Sequence, residues 1–245
     1  MAFFDLSLGA LMALLATSLG AFVVLFLGGI SRKGSSVMLA FAAGVMAYSA
    51  VEMLGQSHRS AGDAAMLLGF LAGLALVMIG ERALPHIHRH IRKKDLADSK
   101  KKAMLIAGTI TIHNLPEGFA IATAFAASTP LGWFVTTSIA LQDIPEGTLV
   151  SAPLKHYGMS NRSSIFFGVL SGAVEAAAAV LGYLFLSSFS GLIPFALAFS
   201  GGAMAYVVLV ELMPDAMEDG MERLATLSFA GGAAVAFVLA SLLAV

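Results

Sequence analysis

The sequence predicts an all-α polytopic membrane protein. Eight transmembrane helices are expected, arranged 3+2+3 about an inverted pseudo-two-fold axis. Three observations carry that expectation. Hydrophobic residues make up 58% of the chain and charged residues only 12%, against about 25% charged in a soluble domain. The apolar residues fall into eight stretches, each near the roughly 20 residues that a spanning helix needs. When those stretches are threaded alternately through a bilayer, the basic residues collect on one side.

The spans read as about 6–30, 36–57, 62–84, 103–127, 131–154, 163–187, 192–213 and 224–245, in one transmembrane domain covering 1–245. The first is preceded by Met1-Ala-Phe-Phe-Asp5 without a basic stretch, so it reads as a span rather than a leader. Only one connection is long, the His-bearing loop 86–102. With the first loop inside, Arg59 alone among the 14 Lys and Arg residues falls outside. By the positive-inside rule that asymmetry places both termini outside a cell (inner) membrane and the long loop in the cytoplasm. Gly69-xxx-Gly73, Gly201-Gly202 and Gly231-Gly232 read as close helix packing in lipid.

Spans 4 and 5 contain a repeat. Span 4 has His113-Asn-Leu-Pro-Glu-Gly118 and span 5 has Gln142-Asp-Ile-Pro-Glu-Gly147. Consecutive spans run in opposite directions, so the two copies lie antiparallel at one depth. Carriers commonly place their substrate site at such an inverted-repeat axis.

The residue types in the repeat point to cations. A carboxylate at the bilayer centre costs about 2.5–3.5 kcal/mol even on lenient scales. Glu117, Asp143, Glu146 and Glu175 all fall mid-span, and no Lys or Arg lies in the interior of any span, Arg82 standing at the inner end of span 3. Their charge of −4 must be met by protons or by metal, and two divalent ions would neutralise it. Residues three and four apart share a helix face. His113, Glu117, Gln142 and Glu146 could therefore converge on one ion. Asn114, Glu117, Asp143 and Glu146 could converge on a second, with Glu175 as its natural extra ligand. Pro116 and Pro145 are expected to free carbonyl oxygens four residues back. One imidazole, two amides and several carboxylates, in a chain with no cysteine, suit zinc, iron(II), manganese(II) or cadmium and not copper(I). These ions are read as transported substrate, not as a cofactor.

These residues resemble those of the ZIP metal transporters, and the resemblance covers nearly the whole chain. His-Asn-x-Pro-Glu-Gly followed by x-x-x-Pro-Glu-Gly is specific to that family, and the Gln142-Asp143 opening is similar to its bacterial GufA-type branch. The resemblance implies a binuclear site. One ion would fall to His113, Glu117, Gln142 and Glu146. The other would fall to Asn114, Glu117, Asp143, Glu146 and Glu175. It further implies a mobile unit of spans 1, 4, 5 and 6 sliding against spans 2, 3, 7 and 8, and a homodimer. Many members carry His where this chain has Gln142. An amide oxygen is a harder and weaker ligand, which broadens the expected choice of divalent ions.

Further expectations concern the route of the ion. Met46 lies mid-span, Glu52 near the outer end of span 2, and Glu211 at the inner end of span 7. His86, His88 and His90 form a run that could collect ions leaving the site, though a solvated basic loop explains them equally well. The expected partners are divalent ions, the bilayer and a second copy of the chain, with no nucleic acid. An intramembrane metalloenzyme is the rival class. It is disfavoured because there is no His-Glu-x-x-His and no spare general base. A proton-driven carrier of a small organic solute is the second rival.

Overall fold

The computed structural model describes residues 2–26, 30–83, 99–156 and 158–245, and only the backbone of 81–83 and 99–112. Among these residues the chain is helical throughout, with no strand. Helix α1 is Ala2–Val23. The assignment Arg32–Ala83 is broken at Gly62, whose φ of 74° and ψ of −173° are open to glycine and strained for other residues. It therefore divides into α2 (32–61) and α3 (63–83). Helix α4 is Ser99–Ala127, α5 is Thr129–His156 and α6 is Asn161–Ser188. Helix α7 begins as Ile193–Val207 and runs on through a wide π turn, Val208–Leu212, into Met213–Met217. Helix α8 is Glu222–Leu242.

These bounds lie within a few residues of the stretches read from hydropathy, with one shift at the start. Helix α1 begins at Ala2 rather than at 6 and ends at Val23 rather than near 30. Pro116 and Pro145 sit inside unbroken helices. Pro214 has a clearer local effect. It lacks the N–H that a regular α-helix would use, and the π turn precedes it, with Met213 N–H donating back to Val208 O. Five helical stretches among the described residues are long and apolar enough to cross a membrane. Large side chains such as Leu15, Phe26, Leu181 and Leu227 are exposed on their outer faces. That is how a protein solvated by lipid presents itself, and it makes the chain a multi-pass helical membrane protein.

The helices pack as two bodies. Helices α1, α4, α5 and α6 form one, and α2, α3, α7 and α8 the other. Glycine shows why each body holds together. A Cβ at Gly118 would lie 2.1 Å from the Glu175 carbonyl oxygen, and one at Gly147 would lie 2.0 Å from that of Thr17. In the second body, Gly44 meets the Phe229 carbonyl, Gly232 that of Phe41, and Gly73 that of Phe199. Among the described glycines, every approach this close to another helix's backbone stays within one body. Aromatic side chains meet between the bodies. Phe119 meets Phe199 edge-on with ring centres 5.8 Å apart, and Tyr48 meets Phe134 in the same way at 6.1 Å.

Candidate metal centre

The repeat places its polar residues at the heart of the first body. Gly118 lets α4 close on α6 and Gly147 lets α5 close on α1, so each Pro-Glu-Gly segment is clamped where its glutamate points inward. Asn114, Glu117, Gln142, Asp143, Glu146 and Glu175 are all buried. Glu117, Asp143 and Glu146 each offer an oxygen, and those three oxygens lie within 4.8 Å of one another. In a tetrahedral zinc site, with zinc–oxygen distances of 2.0–2.2 Å, ligand oxygens stand roughly 3.3–3.6 Å from one another. The three carboxylates are thus close to the spacing that a metal ion requires.

The amides complete two sides of the cluster. Gln142 Nε2 donates to Glu117 Oε1, which joins the first polar residue of one motif to the glutamate of the other. The Glu175 carboxylate stands beside the Asn114 amide, and the Asp143 carboxylate stands beside the Thr17 hydroxyl of α1. Neither contact closes to hydrogen-bond geometry. Both oxygens of Asp143, both of Glu175, Glu117 Oε2, Gln142 Oε1 and both polar atoms of Asn114 are buried without a hydrogen-bond partner. Buried polar atoms are normally paired, and an unpaired buried charge is costlier still. So dense a set of unpaired oxygens is suited to a cation.

His113 takes a different partner. Its Nε2 lies 2.9 Å from Glu211 Oε2 on the π turn of α7. That pair bridges the two bodies, as does the Thr123–Ser200 hydroxyl pair at 3.4 Å. Residues 14% and 11% exposed on the side chain, His113 and Glu211 are the wetter edge of the site, whereas Gln142, Asp143 and Glu175 have no exposure.

The other sequence-derived residues lie elsewhere. Met46 is buried in the apolar core with Ile121, Phe134, Ile139, Leu197 and Met204. Glu52 accepts a hydrogen bond from Tyr48 at 2.8 Å. His86, His88 and His90 lie outside the described residues. The sequence reading missed Thr17. A lone threonine in an apolar span looks like packing, and no local sequence signal marks it.

Apolar helices closed around a buried, oxygen-rich carboxylate centre define a membrane protein with a cation-attracting core. The sequence profile of the family described as ZIP zinc transporter matches residues 80–240. Zinc transporter GufA of Myxococcus xanthus is 37% identical over 242 residues, covering 94% of this chain and 95% of that one. Zinc transporter ZIPB of Bordetella bronchiseptica is 32% identical, covering 95% and 79% respectively. Zinc transporter ZupT of Chlorobium chlorochromatii is 30% identical over 88% of each chain. The chain belongs to the ZIP zinc transporter family.

Proposed function

We propose that this protein carries divalent metal ions, zinc first among them, from outside into the cytoplasm by alternating access through a binuclear site. The observation that carries this reading is the Glu117–Asp143–Glu146 cluster, with its ligand oxygens within 4.8 Å. No Lys or Arg occurs between Lys102 and Lys155, so metal or protons must balance it. One ion is assigned to His113, Glu117, Gln142 and Glu146. The second is assigned to Asn114, Glu117, Asp143, Glu146 and Glu175. Gln142 in place of a second imidazole extends the cargo to cadmium, iron(II) or manganese(II).

The proposed topology has eight crossings in one domain, both termini outside the inner membrane, and two copies in the assembly. The bend at Gly62 supports two crossings from the 32–83 stretch. Helices α4 and α5, of 29 and 28 residues, are each about 40 Å long at 1.5 Å per residue and exceed the roughly 30 Å hydrocarbon core. Alternating access is supported by the partition of close packing. Backbone-tight glycine contacts hold each body rigid, and the bodies touch through side chains that can slide. The ion leaves past His113 and Glu211, the wetter edge of the site. Met46, Phe134, Ile139 and Met204 close the opposite side. Glu52 lies on the outer approach.

Metal binding to the purified protein in detergent tests the site. Glu117→Ala and Glu146→Ala each abolish tight zinc binding if the reading is right. Wild-type binding in both variants sinks it. It also separates a metal carrier from a carrier of organic solutes.

A further inference from the structure

The two Pro-Glu-Gly segments have matching surroundings, and the match assigns a role to α1. On α4, Gly118 receives the backbone of α6 at Glu175, with 2.1 Å between a would-be Cβ and the carbonyl oxygen. On α5, Gly147 receives the backbone of α1 at Thr17, with 2.0 Å. The side chains follow the backbones. Glu175 stands beside Asn114, the second polar residue of the α4 motif, and Thr17 stands beside Asp143, the second polar residue of the α5 motif. Thr17 is therefore the inverted-repeat counterpart of Glu175.

The hydroxyl is fixed in place. Thr17 has no exposure, and a Cβ at Gly172 of α6 would lie 3.0 Å from its Oγ1. Thr17 Oγ1 donates its proton to Ala13 O at 3.0 Å. On its other side stands the Asp143 carboxyl group, whose two oxygens are buried without a hydrogen-bond partner.

We propose that Thr17 Oγ1 is a neutral oxygen ligand for the ion held by Asn114, Asp143 and Glu175. This deepens the binuclear reading and rests on it. It makes that half of the site oxygen-only, contributed by four helices and suited to harder divalent ions, while the half with His113 keeps the imidazole.

The chain has no cysteine, which gives a direct test. Thr17→Cys places a single thiol at this position, and the probe is cadmium added to purified protein in detergent. A ligand position gives a thiolate-to-cadmium charge-transfer band in the ultraviolet, absent from wild type and lost when Asp143→Ala is added. Cadmium binding to Thr17→Cys without that band overturns the assignment. Wild-type protein that binds no cadmium or zinc overturns the binuclear reading instead. Thr17→Val and Thr17→Ser supply the second measurement by titration calorimetry. Thr17→Val is expected to weaken the second ion about tenfold, with Thr17→Ser near wild type, in line with the 10–100-fold cost of perturbing a metal site's ligand surroundings. Two unchanged binding events in Thr17→Val also overturn it.

Discussion

His113 Nε2 and Glu211 Oε2 stand 2.9 Å apart and join α4 to α7 across the boundary between the two bodies. A candidate ligand on one body is thus held by a carboxylate on the other. Glu211 owes its position to the π turn ahead of Pro214, and turns of that kind are frequent at functional sites. Removing Glu211 should leave the carboxylate cluster intact but disturb the edge proposed as the exit. Glu211→Ala is expected to slow zinc uptake by about tenfold, within the 10–100-fold range for partners that orient a ligand. His113→Ala should weaken zinc binding itself by more than Glu211→Ala does. Equal binding losses in the two variants would remove the distinction drawn between them.

Gly118 and Gly147 make opposite predictions from Gly231. A Cβ at either of the first two runs into a carbonyl oxygen, and nothing lies within 4 Å of one at Gly231. Gly118→Ala and Gly147→Ala should each destabilise the protein by about 1–3 kcal/mol, the usual range for overpacking. Gly231→Ala should be neutral or stabilising by up to about 1 kcal/mol, from helix propensity alone. Thermal melts in detergent measure all three, and a neutral Gly147→Ala would contradict the clamp between α5 and α1.

In the proposed binuclear site, Gln142 is the residue expected to set the breadth of the cargo. Its amide donates to Glu117, which leaves one carbonyl oxygen for metal. Gln142→His replaces that oxygen with an imidazole nitrogen, a better match to zinc. The expected outcome is tighter zinc binding and a larger preference for zinc over manganese in competition uptake. An unchanged ratio would mean that Gln142 does not touch the ion.

Protons compete with metal for the same donors, because ligands must be deprotonated to bind. As external pH falls, protons displace metal from the donor set and the metal-competent fraction shrinks. Initial zinc uptake should therefore fall from pH 7.5 to 5.5. A steady rise over that range would point to uptake driven by protons.

Much of this site is legible in the sequence because its signals are local. Spacings of three and four residues put His113, Asn114 and Glu117 on one face. The repeat supplies the same pattern on α5, and Glu175 stands out as an uncompensated charge in an apolar span. The helices are legible for the same reason, since lipid forces long apolar runs. The missing parts are non-local. Thr17 carries no charge and reaches the site only because α1 crosses α5 at Gly147. The pairing of His113 with Glu211 joins residues far apart in the chain, and the π turn that allows it depends on Pro214 at the end of a long helix. The hydrogen bond from Tyr48 to Glu52 is a local exception, since the two residues lie one turn apart on the same face.

The most direct test of the central claim is zinc entry into liposomes containing only the purified protein. The account predicts saturable zinc uptake that is lost in Glu117→Ala and in Glu146→Ala, with both variants still folded and inserted. No zinc entry with the wild type, or undiminished entry with both variants, would contradict it.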